Sequence, residues 1–435
     1  MIIIFIIGEF ARKILLEDRD MDINTLLKGQ KCSCGKHHVC DIKYVSIGKG
    51  AISALEEMTK EYTSILLVAD ENTYRAAGEK VLEALPGKQL RKVIFSGATV
   101  LIPDEKAIEQ VQAQLEGVEL IIGIGSGVIQ DLCKYVTHVS RIPYYIVATA
   151  PSMDGYASSG AAMILGGMKV TVSAGVPTAI LADTDVLKAA PMDMLQAGYG
   201  DIVGKYSCLN DWKLSALIND EYFCQEVYDL TYQTADRVRN LAQGILRRDE
   251  EAVGALMEAL VVVGIAMAYV GNSRPASGSE HHFSHYFEIT GILNGTPYLA
   301  HGIDVAYAAV LTAGLRQKLL ASRPERRPFD EAQWKRDVER IYRSSAEEVV
   351  ALQKKLGWYW TDNSSKVLPK WEKIRAVLEE SPSEAQMLAM VEAVGLDYQE
   401  FVKLYGQEKI DDGILYGKDL KDRYSVLWLY YEFFR

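Results

Sequence analysis

The chain has 435 residues, 49% hydrophobic and 24% charged, which is ordinary for a globular protein with room for two or three domains and large cores. Its 47 lysines and arginines against 58 aspartates and glutamates leave a net charge of −11, which argues against broad binding of nucleic acid or anionic membrane. A local basic pocket for a small anion is untouched by that balance.

Residues 1–7 are apolar but far too short to span a bilayer, and they lack the basic flank and cleavage site of a signal peptide. A charged stretch follows at 9–22, and globular pattern begins only after Met21. Met21 is therefore read as the translation start; a native product beginning at Met1 would refute that. Next comes Cys32-Ser33-Cys34-Gly35-Lys36-His37-His38-Val39-Cys40, dense in soft ligands. Zinc is one reading, but the run spans only nine residues and has no second Cys-x-x-Cys partner; a reduced hairpin turn is the other. Six cysteines in a chain this long do not suggest a disulfide scaffold, and without an export signal the expected compartment is the reducing cytoplasm.

From 41 to 190, short apolar runs alternate with amphipathic ones. Strands are expected at 44–47, 64–69, 91–95, 120–122 and 144–148, with helical segments such as 51–60 and 104–115 between them. That alternation implies a parallel sheet with helices on both faces, and ligands then sit beyond the carboxyl ends of the strands. The turn Gly123-Ile124-Gly125-Ser126-Gly127 falls there, followed by a helix start at Asp131. Glycines let the backbone approach a pyrophosphate while helix N–H groups point at it. It lacks the full spacing of the dinucleotide fingerprint, so a plain tight βα turn is the alternative. Asp70 ends its strand and reads equally as a turn residue.

Residues 163–182 differ: Leu165-Gly166-Gly167-Met168-Lys169 looks like a hairpin turn between short strands. Beyond 190 strands become rare, and helices are expected at 201–217, 222–244, 250–270, 302–320, 330–356 and 366–379. The chain thus divides into an N-terminal extension (1–40), an α/β half (41–190) and a helical half (191–435), without internal repeats.

Seven histidines are present, and His281, His282 and His285 lie within five residues, with His301 in the turn that follows. On a helix His281 and His285 share a face. Neutral imidazoles suit Zn²⁺, Ni²⁺ and Fe²⁺, and a catalytic metal needs about three protein ligands and an open position. Asp201, expected at a helix start, is the best carboxylate; a helix cap beside surface histidines is the bland alternative. Lys205 lies four residues after Asp201, which also allows an ordinary ion pair. Asp154 before Gly155 also reads as an Asx-turn residue.

Thr149-Ala150-Pro151-Ser152-Met153-Asp154-Gly155-Tyr156-Ala157-Ser158, with Gly200-Asp201-Ile202-Val203-Gly204-Lys205, Gly278-Ser279-Glu280-His281 and His301-Gly302, resembles the sn-glycerol-1-phosphate dehydrogenases. They belong to the glycerol dehydrogenase and iron-containing alcohol dehydrogenase superfamily. The resemblance runs from about 40 to 310. It implies a dehydroquinate-synthase-like fold: an α/β nucleotide-binding domain, then an all-α domain, with the site in the cleft. It implies one divalent metal (Zn²⁺ or Ni²⁺, with Fe²⁺ possible) on Asp201, His281 and His301, separated by 301 − 281 = 20 for the histidines. It implies NAD(H), with NADP(H) possible, held by Asp70, Gly125, Ser126, Gly127, Asp131, Thr149, Ser152 and Ser158. Asp70 would accept from the adenosine ribose and so favour NAD(H). Asp154 would orient the substrate, Lys205 would meet its phosphate, and His285 would relay a proton. The implied reaction is reduction of dihydroxyacetone phosphate to sn-glycerol 1-phosphate for polar-lipid synthesis, by a cytoplasmic homodimer that inserts into no membrane. A dehydrogenase of plain glycerol and a non-catalytic nucleotide- or metal-binding relative are the alternatives. A dehydroquinate synthase would need a different pocket.

Overall fold

The computed structural model describes residues 23–166 and 168–435, so the question of Met1 or Met21 lies outside the described residues. A short helix, α1 (Ile23–Leu27), leads into a two-stranded antiparallel hairpin, β1 (Gln30–Lys31) and β2 (His37–His38). This is the hairpin reading of the cysteine-rich run.

The strands β3 (Tyr44–Gly48), β4 (Ser64–Asp70), β5 (Gln89–Phe95), β6 (Leu120–Gly125), β7 (Tyr144–Ala148) and β10 (Ala179–Asp183) form one parallel sheet in the order β3-β10-β7-β6-β4-β5. Its central strands are continuous apolar runs, as burial on both faces demands. Residue alternation along β4 divides the core. Ile65, Leu67 and Ala69 pack with Ala77 and Val81 of α2 (Glu71–Glu83). Leu66 and Val68 face Ile108 and Val111 of α3 (Glu105–Gln112) and Ile129, Leu132 and Val136 of α4 (Gly127–Ser140). The sixth strand was hidden in the sequence because Ile180-Leu181-Ala182 follows directly on a hairpin, β8 (Gly160–Leu165) with β9 (Met168–Ser173).

Strand order reverses between β4 and β6. Their carboxyl ends therefore flank the crevice where such sheets bind ligands. Register sets Ala69 opposite Ile124, so Asp70 and Gly125 emerge side by side.

Helices take over at α5 (Met192–Val203), α6 (Lys205–Asn219), α7 (Gln225–Arg239), α8 (Glu250–Val270), α9 (Ser279–Asn294) and α10 (His301–Leu320), followed by further helices toward the C-terminus. Instead of one helix over 201–217, α5 begins at Met192 and α6 at Lys205, so Asp201 sits in the last turn of α5, not at a helix start. The expected 330–356 helix is likewise two, broken where Arg343 takes φ +47°. α8 is long and apolar enough to cross a membrane by length and composition, yet 83% of its most apolar stretch is buried inside the fold.

Candidate active site

Two glycines bring the site together. A Cβ on Gly200 would sit 2.3 Å from the Gly302 carbonyl oxygen, and one on Gly302 would sit 2.0 Å from that of Ala197. Only bare backbone allows α5 and α10 to cross so closely. The crossing sets Asp201 against His301 at the N-terminus of α10. His281, in the first turn of α9, completes the group, and the ligand atoms of the three lie within 4.8 Å of one another. His281 Nε2 is 3.7 Å from Asp201 Oδ1.

Each imidazole is held through its other nitrogen. His281 Nδ1 lies 2.7 Å from Glu280 Oε1, and His301 Nδ1 lies 3.0 Å from Ser284 Oγ. That pattern fixes ring orientation and leaves Nε2 for a cation. Burial, with the nearby Lys205 ammonium and His301, pushes the His281 pKa well below its usual value, so the ring is neutral and ligand-competent at pH 7. Burial raises the Glu280 carboxyl against the opposing Gly278 N–H and Lys205. Two imidazoles and a carboxylate make a donor set that fits a divalent metal.

Lys205 is fully buried beside this group. Its Nζ donates to Asp201 Oδ1 at 2.7 Å and to the Ala276 carbonyl at 3.0 Å, and it pairs with Asp154 Oδ2 at 2.7 Å. Burial disfavours the ammonium, but the two carboxylates outweigh it and raise its pKa. Two hydrogen bonds and the close Asp154 ion pair thus surround the ammonium. The ion pair that the four-residue spacing allowed is present. Asp154 is engaged likewise: besides pairing with Lys205, its N–H donates to Asp201 Oδ2 at 2.9 Å, and the residue opens a 3₁₀ turn, Asp154–Ala157.

That turn links the trio to the sheet edge. Tyr156 Oη donates to the Ala150 carbonyl at 2.7 Å, and the Thr149 N–H donates to the Gly125 carbonyl at 3.2 Å. A Cβ on Gly125 would lie 2.6 Å from Ile129, which is why the turn into α4 needs glycine. Ser126 starts α4 without using its side chain as a cap, and Gly127 faces Met153 at ordinary contact distance. Asp131 lies one turn into α4, 3.5 Å from Lys134 Nζ. Lys134, which sequence reasoning missed, is fully buried and donates to the carbonyls of Gly155 and Gly160 and to Ser158 Oγ. Ser158 is thereby tied into its own loop, and the Ser152 N–H turns back to the Ala150 carbonyl at 3.0 Å. A lysine on the apolar stripe of α4 was the signal for that tether. Asp70 caps α2, its Oδ1 accepting from the N–H groups of Asn72 and Thr73.

His285 lies next to the trio, its ring 6.2 Å from His281 and 5.7 Å from His301. It borders a cavity of about 240 Å³ shared with Thr171 of the β8–β9 hairpin, Glu288, Ile289, Leu420 and Lys421.

The chain is similar to known proteins. The sequence profile described as iron-containing alcohol dehydrogenase matches residues 46–191. A glycerol-1-phosphate dehydrogenase (NAD(P)+) of Halalkalibacterium halodurans is 36% identical, over 67% of this chain and 77% of its own. That of Geobacillus thermodenitrificans is 32% identical, over 82% of this chain and 87% of its own. Among solved structures, glycerol dehydrogenase from Schizosaccharomyces pombe superposes with a TM-score of 0.52 at 18% identity, covering 84% of this chain and 92% of that one. With the parallel sheet, the helical half and the relatives agreeing, the chain belongs to the glycerol-1-phosphate dehydrogenase family of the iron-containing alcohol dehydrogenases.

Proposed function

We propose that this chain reduces dihydroxyacetone phosphate to sn-glycerol 1-phosphate with NAD(P)H, supplying glycerophospholipid synthesis. The observation that carries the reading is the meeting of Asp201, His281 and His301 at one end of the loop after β7, whose other end, at Thr149, bonds the Gly125 turn. The names of the relatives support the substrate. In this reading the 41–190 half holds the cofactor and the 191–435 half holds the metal and substrate.

When bound, a divalent cation on the trio supplies Lewis-acid polarisation of the carbonyl and the nicotinamide supplies hydride. Asp201, His281 and His301 would hold the cation. The protein's own groups do the rest. Gly125, Ser126 and Gly127 present backbone N–H groups at the start of α4 to the pyrophosphate. Asp131, Thr149, Ser152 and Ser158 border the same crevice, stiffened by Lys134. Asp70, whose Oδ1 caps α2, would meet the ribose through Oδ2 and so favour NAD(H) over NADP(H). Asp154 orients the substrate, with Lys205 holding its carboxylate and that of Asp201 in place as a positioning residue. His285 delivers a proton from the cavity to the substrate oxygen. With Lys205 paired to two carboxylates, the substrate phosphate is placed in this reading toward the cavity that His285 borders. The reading extends to a cytoplasmic homodimer, which sedimentation tests for the dimer.

The commitment of Lys205 also favours a second reading, a dehydrogenase of unphosphorylated glycerol. Protein stripped by chelator and restored with Zn²⁺ or Ni²⁺ discriminates. Faster NADH oxidation with dihydroxyacetone phosphate, giving the sn-1 enantiomer, is the expected result. Turnover of dihydroxyacetone alone would move the chain to the second reading.

A further inference from the structure

A second cluster of metal-ligating side chains lies apart from the active site. Cys32, Cys34 and His38 of the N-terminal segment meet Cys224, at the start of α7, and their ligand atoms all lie within 4.8 Å of one another. Sequence spacing concealed this: Cys224 is 192 residues from Cys32, and the histidine in the set is His38, not its neighbour His37. Cys40 is buried in the core instead.

We propose that this cluster is a structural zinc site that fastens the N-terminal segment to the helical half. Three of the six ligand–ligand distances are close to those of a zinc tetrahedron, and the rest lie within 4.8 Å. Zinc–sulfur bonds of about 2.3 Å and zinc–nitrogen bonds of about 2.0–2.1 Å at tetrahedral angles put sulfurs roughly 3.8 Å apart and sulfur from nitrogen roughly 3.6 Å. Cys32 Sγ and Cys224 Sγ are 3.5 Å apart, Cys34 Sγ and His38 Nε2 are 3.5 Å apart, and Cys224 Sγ and His38 Nε2 are 3.4 Å apart. A disulfide needs about 2.05 Å between sulfurs; all six cysteines are free.

The surroundings aim the ligands. His38 is fully buried, its ring stacks on Tyr269 at 5.1 Å, and its Nδ1 lies 2.8 Å from the Tyr269 carbonyl. Nδ1–H donates there, which leaves Nε2 as a lone pair turned toward three sulfurs. Cys32 to Gly35 forms a tight knuckle: the Gly35 N–H donates to the Cys32 carbonyl at 3.1 Å, Gly35 takes φ +86°, and the Cys34 N–H points at Cys32 Sγ at 3.4 Å. Tyr222 Oη lies 3.1 Å from Cys34 Sγ, and the Lys36 ammonium sits 3.5 Å above the Tyr222 ring, placing positive charge beside a site of three thiolates. Four protein ligands leave no open position, so the site is structural. Binding converts three thiols to thiolates and releases their protons to solvent. The site adds to the packing of Ile23, Leu26 and Leu27 of α1, which are only partly buried against the core.

The test counts metal in a His281→Ala background, where the active-site trio is broken. Protein expressed with zinc and dialysed against a mild chelator is expected to retain one zinc per chain, and Cys224→Ser in the same background is expected to lose it. Should Cys224→Ser fail to fold, the intact protein is titrated with an organomercurial beside a chromogenic zinc indicator. Release of the retained zinc in step with modification of three thiols supports the site, as does an intense tetrahedral thiolate–cobalt spectrum after exchange with Co²⁺. A His281→Ala protein that keeps no zinc, or a Cys32–Cys224 disulfide found by mass mapping of freshly isolated protein, overturns it.

Discussion

The two clusters of metal-ligating side chains use the same device and reach opposite ends. In each, a histidine is anchored through Nδ1, by Glu280 and Ser284 in one and by the Tyr269 carbonyl in the other, so that Nε2 faces its partners. The active-site trio offers two imidazoles and one carboxylate beside a cavity, with a lysine ammonium wedged among the acids. The cysteine cluster offers four ligands, three of them soft sulfurs. Ligand number and softness, not the anchoring, separate a place where substrate can approach from a rivet.

The largest expected effect breaks the trio alone. His281→Ala should lower kcat with dihydroxyacetone phosphate on the order of 10³-fold, because it removes charge stabilisation worth several kcal/mol, with little change in melting temperature. Steady-state kinetics and a thermal melt on the same preparation check it. Unchanged kcat would dissolve the contrast between the two clusters.

Lys205→Met leaves Asp154 and Asp201 buried together without a counter-charge. Removing one partner of a buried pair costs about 3–5 kcal/mol, and added Zn²⁺ or Ni²⁺ should restore part of that by replacing the lost charge. Denaturant unfolding with and without metal checks both halves; a variant as stable as the parent would show that the lysine does not offset the acids.

A buried acid that touches neither cluster is the control. Glu432 accepts from Asn363 and Tyr424, and burial pushes its pKa up to about 7 from the ordinary 4.5. Between those values the folded chain holds a proton that the unfolded chain has lost. Its contribution is therefore full below pH 4.5 and is lost as pH rises through 7, a drop of up to about 3 kcal/mol. Glu432→Gln should flatten that stretch of the stability profile and leave metal content unchanged, as melts from pH 5 to 8 with metal analysis would show.

The smallest effect concerns Asp70. Asp70→Ala should cost about 1 kcal/mol through loss of the α2 cap. It should also narrow the ratio of kcat/KM for NADH over NADPH; a ratio that does not move would leave Asp70 a cap and nothing more.

Much of the sheet was legible because buried parallel strands such as Ile65-Leu66-Leu67-Val68 are continuous apolar runs, and the turn at Gly125 announces the strand end. β10 was not legible, since its partners β3 and β7 are distant in sequence and a hairpin precedes it. Residue type marked Asp201 and the clustered histidines, and the family resemblance selected His281 and His301 among them, but the environment of Lys205 was not legible. A four-residue spacing shows that a pair can form; only the fold shows that Ala276 and Asp154 complete the lysine's partners. Cys224 was invisible as a ligand for the same reason: the contact is tertiary, and no local pattern marks it.

The measurement that bears most directly on the account follows NADH oxidation by dihydroxyacetone phosphate while metal per chain is counted through chelation and restoration. The account predicts that mild chelation abolishes turnover while one zinc stays bound, and that Zn²⁺ or Ni²⁺ brings turnover back. Undiminished turnover by metal-free protein would contradict it, as would a chain inactive on dihydroxyacetone phosphate with every divalent metal supplied.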